Sequence, residues 1–252
     1  MLNILIPLGG QSSFFNVDEY PYPKPLIEIN GRLMIELLIE SFASLKELHR
    51  FIFIVQQADC QKYHLDETLK LLTEGTCEIV MLGGETKGAA CSALMAIDHI
   101  DNCDKLIISN GDQLLKVDMD DMLACFSGLH SDGGVVCFKS VHPKWSYVRL
   151  DVSNNIIEAA EKRPISNNAI AGVYYFKHGA DFVKSAMRSI EKDANVDGFY
   201  FISPTLNEMV LENKQLDIFR VENDRYHSFY SPQKIKEYEM LVSRHGMPNE
   251  RR

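Results

Sequence analysis

Residues Leu2 to Glu40 constrain the fold more than any other stretch: an apolar run, a Gly-rich turn, a Pro-Lys-Pro segment, a second Gly turn and a helix follow in close order. Asn3-Ile4-Leu5-Ile6-Pro7-Leu8 has the pattern of a short strand buried on both faces, and it stops at Gly9-Gly10-Gln11-Ser12-Ser13. Gly and Ser in a turn leave N–H groups and hydroxyls free and let the backbone approach a ligand. Leu8, Gly9, Gly10, Gln11, Ser12 and Ser13 therefore read either as a phosphate cradle or as an ordinary tight turn. In Tyr22-Pro23-Lys24-Pro25-Leu26-Ile27 each proline fixes its own φ and restricts the residue before it. Lys24 is thus presented from a stiff segment that loses little entropy on meeting an anion, whereas the same motif in isolation would be a surface lysine in a loop. Glu28 to Ile39 continues as a strand, an Asn30-Gly31 turn and an amphipathic helix.

Beyond this opening, strand patterns at 51–55, 78–82 and 105–109 alternate with helical ones, among them Leu65, Leu69 and Leu72 in the segment from Tyr63 to Thr73. Such alternation predicts an α/β protein: a three-layer α/β/α, doubly wound, Rossmann-like mixed sheet with ligands gathered at the carboxyl ends of its strands. The segments at 133–138, 146–150, 156–162 and 169–176 lack intervening helices and read as a more antiparallel second half. With 252 residues and no linker, one domain is expected, 1–130 forming one half and 131–252 the other.

A net charge of -9 argues against nucleic acid or an anionic membrane as the main partner, and leaves small anions needing a local basic pocket. The six cysteines show no C-x-x-C pair, which favours buried free thiols over a zinc site or a disulfide framework. No signal-peptide pattern and no apolar run of membrane-spanning length is present, so a cytoplasmic protein is expected.

The order strand, G-G-x-x-S, P-K-P-L-I-E-I-x-G and M-I-E-x-x-I-E resembles the family of sugar-phosphate nucleotidyltransferases, which make nucleotide sugars from a nucleoside triphosphate and a sugar phosphate. One departure is plain. Such enzymes usually carry an arginine in the Gly-rich loop, in a pattern like G-x-G-x-R, where this chain has Gly10-Gln11-Ser12-Ser13-Phe14. The resemblance implies a metal-dependent enzyme with Mg²⁺, or Mn²⁺, as cofactor. Its substrates would be a nucleoside triphosphate and a phosphorylated small-molecule acceptor, with no nucleic acid or membrane partner; a homo-oligomer is left open. It further suggests a place in bacterial surface-polysaccharide precursor synthesis.

Several later motifs gain meaning from the resemblance. Gly88 and Ala89 open a helix with small side chains, which admit either a flat ligand or another backbone; T-x-G-A-A resembles the segment that receives the nucleobase. Asn110, Gly111 and Asp112 end a buried strand, where a carboxylate holds a hard cation or caps the helix starting near Asp118; the resemblance makes Asp112 the metal ligand and Lys24 the partner of the reacting phosphates. Y-V-R-L-D, A-E-K-x-P-I-S and A-G-V-Y-Y-F resemble the acceptor half, which points to Tyr147, Glu161, Lys162 and Gly172 as acceptor-binding residues. On one strand Glu161 and Lys162 would face opposite ways, so both reach a ligand only if the strand ends there, as Pro164 suggests; otherwise Lys162 is a solvated edge lysine. Relatives place a second metal-binding aspartate in W-x-D-x-G-T-P. The matching position is Ser228, with His227 beside it.

Three alternatives stay open: a cytidylyltransferase for a phosphorylated non-sugar such as a phosphorylated amino acid, a nucleotide-sugar-dependent glycosyltransferase, and a non-catalytic nucleotide sensor. The glycosyltransferase reading draws on the D-x-D spelling within Asp118-Met119-Asp120-Asp121, and the sensor reading on the absent loop arginine and second aspartate.

Overall fold

The structure is a computed structural model that describes residues 1–10, 14–128 and 131–244. The opening forms β1 (Leu2–Pro7), a single 3-10 turn at Lys24–Leu26, the hairpin of β2 (Glu28–Ile29) and β3 (Arg32–Leu33), and α1 (Met34–Ser41). Asn30 and Gly31 both take positive φ, 52° and 76°, as the two-residue hairpin turn demands. Then come β4 (His49–Gln56), α2 (Gln57–Tyr63), α3 (Leu65–Leu72), β5 (Cys77–Leu82), α4 (Ala89–Leu94), α5 (Ile97–Ile100), β6 (Lys105–Ser109), β7 (Gln113–Leu115) and α6 (Met119–Gly128). The second half holds β8 (Gly133–Lys139), β9 (Tyr147–Leu150), β10 (Ile156–Ala160), β11 (Asn168–Phe176), α7 (Gly179–Glu191), α8 (Thr205–Leu211), β12 (Leu216–Arg220), β13 (Tyr226–Ser228) and α9 (Pro232–Arg244).

Strand residues of the first half divide between the two faces of the sheet by parity. Leu2, Ile4 and Ile6 of β1, Phe51, Phe53 and Val55 of β4 and Ile107 of β6 share one core with α1, α3 and α6. Leu5, Ile52, Ile54, Leu106 and Ile108 share the other with α4, α5, α7 and α8. Both faces are covered, so these strands are apolar throughout and the result is three layers.

One nine-stranded sheet runs through both halves of the chain. β6, β1, β4 and β5 lie parallel in that order, and β11 joins antiparallel to β6. The second half is mostly antiparallel, as its pattern suggests, although β12 runs parallel to β8. A short helix, α2, was not signalled by periodicity: its seven residues bury only Cys60 and therefore carry no apolar stripe. Two of the cysteines, Cys60 and Cys137, are buried and Cys103 is exposed, which corrects the expectation of buried thiols; no disulfide links any of the six. Among the described residues no helix is long and apolar enough to cross a membrane.

β11 does more than extend the sheet. Its register against β8 slips between Ile170 and Tyr174, and along its other edge the part from Val173 on pairs with β6 while Ala169 pairs with β9. Gly172 sits at the slip with φ +62°, and a Cβ there would lie 2.4 Å from the Asn110 side chain and 2.5 Å from that of Gln113. Both the backbone and the space demand glycine. Gly172→Ala is expected to destabilise the fold by roughly 1–3 kcal/mol, read as a lower urea midpoint at unchanged denaturant slope.

Candidate active site

The carboxyl ends of β1 and β6 lie side by side, and the chain leaving each is shaped by glycine. The Leu8 N–H donates to the Ile54 carbonyl at 2.7 Å, and the Gln56 side chain donates to the Gly9 carbonyl at 2.7 Å, tying the loop entry to β4. A Cβ on Gly111 would lie 2.3 Å from the end of the Leu8 side chain, so the two strand ends pack closely where Gly111 has no side chain. Leu8, Gly10, Asn110, Gly111 and Asp112 line a recess of about 160 Å³ between these ends. It opens into a chamber of about 550 Å³ that reaches Glu161, Gly172 and Ser228, the two sharing Lys24, Ala89, Asn110 and Asp112 as walls.

Lys24 and Asp112, 88 residues apart, meet in this cleft with Nζ 2.8 Å from Oδ2. Lys24 begins the 3-10 turn, whose next residue Pro25 is buried, and the Ile27 N–H closes the turn on the Lys24 carbonyl at 3.1 Å. Asp112 is fixed from the other side, its carbonyl accepting the Phe229 N–H at 2.7 Å. The pair is half-buried, and desolvation offsets much of the attraction in such pairs, so its net contribution to stability is small. Its importance is positional: an ammonium and a carboxylate face one cleft.

The segment after β6 is anchored by Asn110 and Gly172 together with Gln113 and Ser109, two residues to which the sequence reading gave no site role. The Asn110 N–H donates to the Gly172 carbonyl at 2.9 Å, and the buried Gln113 amide donates to the same carbonyl at 3.2 Å and to the Ser109 hydroxyl at 3.3 Å. Gln113 leads β7, which pairs with β13 so that Ser228 stands opposite Gln113. Burial and the nearby Asp112 raise the Tyr226 phenol, which therefore stays neutral and donates to Gln113 Oε1 at 3.4 Å.

The other sequence-singled residues are placed unevenly. Ala89 faces the cleft, but the close approach that Gly88 permits is taken by protein: at φ +111° its Cβ would lie 2.4 Å from the Tyr200 carbonyl oxygen. That carbonyl accepts the Ala90 N–H at 3.0 Å, latching the head of α4 to the segment before α8. Glu161 faces the chamber and accepts hydrogen bonds from Ser146 and from the Ser203 hydroxyl at 2.7 Å. β10 stops at Ala160 and Lys162 takes φ +52°, so the chain turns and Lys162 Nζ lies 3.4 Å from Asp197 and 5.1 Å from the Phe201 ring centre, outside the chamber wall. Tyr147 is fully buried and its hydroxyl donates to the His142 carbonyl at 2.7 Å, a structural placement. Ser228 lines the chamber, whereas His227, one residue earlier on β13, packs its ring 4.8 Å from Tyr238. Gln11, Ser12 and Ser13 lie outside the described residues. The D-x-D spelling is spent on structure: Asp118 accepts the Asp120 N–H at 2.8 Å at the start of α6, and Asp120 accepts the Lys46 N–H at 3.0 Å.

The family model described as nucleotidyl transferase matches residues 20–224, which span Lys24, Asp112, Glu161 and Gly172. The chain belongs to the nucleotidyltransferase family. Its fold is that of known members: a nucleoside-diphosphate-sugar pyrophosphorylase from Vibrio cholerae RC9 superposes with a TM-score of 0.80 at 23% identity, over 94% of this chain and 99% of that one. A UDP-glucose pyrophosphorylase complexed with UDP-glucose superposes with a TM-score of 0.78 at 14% identity, over 96% and 98%. No curated protein matches the chain by sequence. In this nucleotidyltransferase the cleft between β1 and β6 lies at the carboxyl ends of parallel strands, where doubly wound sheets hold their ligands.

His227 gives the site's surroundings a pH dependence. Burial first, then the Lys116 ammonium, pushes its imidazole down to about 4 from the ordinary 6.5, and its Nε2 is buried without a hydrogen-bond partner. The unfolded chain therefore takes up this proton at higher pH than the folded one. Stability from the neutral ring is fully present above about pH 6.5 and is lost as pH falls toward 4. Urea unfolding of wild type and His227→Phe at pH 7.5 and 5.0 checks this: the wild type should lose more stability across that interval than the variant.

Proposed function

We propose that this enzyme transfers a nucleoside monophosphate from a nucleoside triphosphate to a phosphorylated small molecule, with a sugar phosphate as the acceptor class, and releases pyrophosphate. The observation that carries the reading is the meeting of Lys24 and Asp112 at 2.8 Å beside the Gly-rich end of β1, where a recess and a larger chamber share a wall. An oxygen of the acceptor phosphate attacks the α-phosphorus in line; the new P–O bond forms as the bond to pyrophosphate breaks, and the departing electron pair leaves on pyrophosphate oxygen. No covalent enzyme intermediate is needed, so the protein's task is positioning and charge neutralisation. Lys24, held on its rigid turn, shifts from Asp112 to the reacting phosphates. The Gly9 and Gly10 segment brings backbone to the triphosphate, and Glu161, braced by Ser146 and Ser203, accepts hydrogen bonds from the acceptor.

The donor set fits Mg²⁺ in one way. Among the described residues no group of three or more His, Cys, Asp or Glu side chains is placed to hold a metal, so Asp112 offers a single carboxylate with the Ser228 hydroxyl nearby in the wall. Mg²⁺ is often held by one or two carboxylates together with substrate phosphates, and Asp112 suits that arrangement. The charged side chains lining the chamber are Lys24, Lys144, Asp112 and Glu161, which cancel. A triphosphate entering such a cleft brings several uncompensated negative charges, which a divalent cation neutralises when bound.

Pyrophosphate release from each nucleoside triphosphate with a panel of phosphorylated acceptors tests the reaction; silence with every pair would overturn it. Lys24→Ala is expected to lower turnover by on the order of a hundredfold while changing stability by less than about 1 kcal/mol. Wild-type turnover in that variant would remove Lys24 from the mechanism. Activity should vanish with chelator and return with Mg²⁺, and Asp112→Asn should raise the Mg²⁺ concentration needed for half activity, because an amide is a weaker ligand for a hard cation.

A further inference from the structure

We propose that Lys144 selects the acceptor: its ammonium receives an oxyanion of the phosphorylated acceptor. This rests on the nucleotidyl-transfer reading above and deepens it. Lys144 lies in the turn between β8 and β9 and lines the same chamber as Lys24 and Asp112. The turn is fixed by His142, whose ring nitrogen Nδ1 accepts the Lys144 N–H at 3.2 Å and whose carbonyl accepts both the Trp145 N–H at 3.3 Å and the Tyr147 hydroxyl at 2.7 Å. The side chain is held as well. Its Nζ lies 4.0 Å from the centre of the Tyr230 ring and 4.3 Å from that of Trp145, within the range where ring quadrupoles attract a cation.

What these rings do not supply is a counter-charge. Among the described residues no carboxylate lies within 4.0 Å of Lys144 Nζ; Glu237, which feels its charge at longer range, is paired with Lys234. The other charged groups lining the chamber have partners, Lys24 and Asp112 in each other and Glu161 in two hydroxyls. An ammonium has three donors, and ring faces satisfy it electrostatically without occupying a conventional acceptor site. An oxyanion arriving here gains charge-assisted hydrogen bonds and breaks no internal ion pair. Lys162, the lysine that the family resemblance puts in this role, is turned to Asp197. The oxyanion is the reacting phosphate or a carboxylate elsewhere on the acceptor, two sources of one chemistry.

Trp145 is the only tryptophan in the chain, so its fluorescence reports on this point of the chamber. Inorganic phosphate, glucose 1-phosphate, O-phosphoserine and choline phosphate are titrated into the full chain, its Lys144→Gln variant and its Lys144→Arg variant. Wild type should respond saturably, Lys144→Gln should need at least about tenfold more ligand, and Lys144→Arg should stay within a few-fold of wild type. A loss in Lys144→Gln shared by inorganic phosphate assigns Lys144 to the reacting phosphate; a loss confined to O-phosphoserine assigns it to a carboxylate. No saturable response in wild type, equal half-saturation in wild type and Lys144→Gln, or tighter binding of choline phosphate to Lys144→Gln overturns the proposal. The last result would assign the rings to a cation of the ligand. Failure of this inference is distinct from failure of the reaction: pyrophosphate release with acceptors indifferent to Lys144 removes only the inference, and Lys144-dependent binding without pyrophosphate release from any triphosphate removes only the reaction.

Discussion

The Gly172 carbonyl is the hub of the molecule. It accepts the Asn110 N–H and the Gln113 side-chain amide, so one oxygen joins the register slip in β11 to the segment that carries Asp112. The slip, in the pairing of β11 with β8, falls where β11 changes its other neighbour from β6 to β9, and Ile170 and Gly172 at this point line the chamber. A side chain at 172 would collide with Asn110 and Gln113, the residues that flank Asp112 in the segment after β6. Two substrates must be held in line for direct transfer, and here their proposed sites flank a single backbone feature rather than a movable hinge.

The charges of the cleft follow from that geometry. Because Lys24 and Asp112 reach it from a rigid turn and a hydrogen-bonded strand end, they fall within ion-pair distance of one another. A resting pair of this kind keeps either charge from being stranded in a half-buried site, and on the proposed reading a phosphate takes the place of the carboxylate at Lys24. Glu161 is treated differently: two serine hydroxyls hold its carboxylate in place without neutralising it, which keeps it as an acceptor of hydrogen bonds and a poor partner for phosphate.

Much of this was legible in the sequence, and the limits are physical. Strands β1, β4 and β6 are buried on both faces and so appear as unbroken apolar runs, and the Asn30-Gly31 turn has a composition that few other conformations use. Pro23 and Pro25 make the rigidity around Lys24 readable too. Placement departs from expectation where a role depends on where a strand ends or what lies across a turn. Whether Lys162 faces the chamber is decided by β10 stopping at Ala160 and by a left-handed backbone at 162, which the following Arg163-Pro164 hints at without fixing. His227 and Ser228 are separated by the alternation of β13, whose pairing with β7 over more than a hundred residues has no local signature. Gly88 looks like a ligand contact because a small residue at a helix start admits a backbone as readily as a base, and here it admits that of Tyr200. Gln113 and Ser203 were missed because their partners lie 59 and 42 residues away.

The two substitutions that set this chain apart from the family pattern act at opposite ends of one charge balance. An absent loop arginine removes a positive partner for the triphosphate, and Ser228 in place of an aspartate removes a negative partner for a cation. Among the described residues the lining charges cancel, so the chamber offers neither a triphosphate nor a cation an excess of opposite charge. On the proposed reading a divalent cation and a triphosphate then supply each other's missing partners, and the coupling between them must be the same whichever arrives first. On the same reading a lone anion such as inorganic phosphate brings no cation with it, and among the described residues of the wall the positive charge it meets without displacing an ion-pair partner is the ammonium of Lys144.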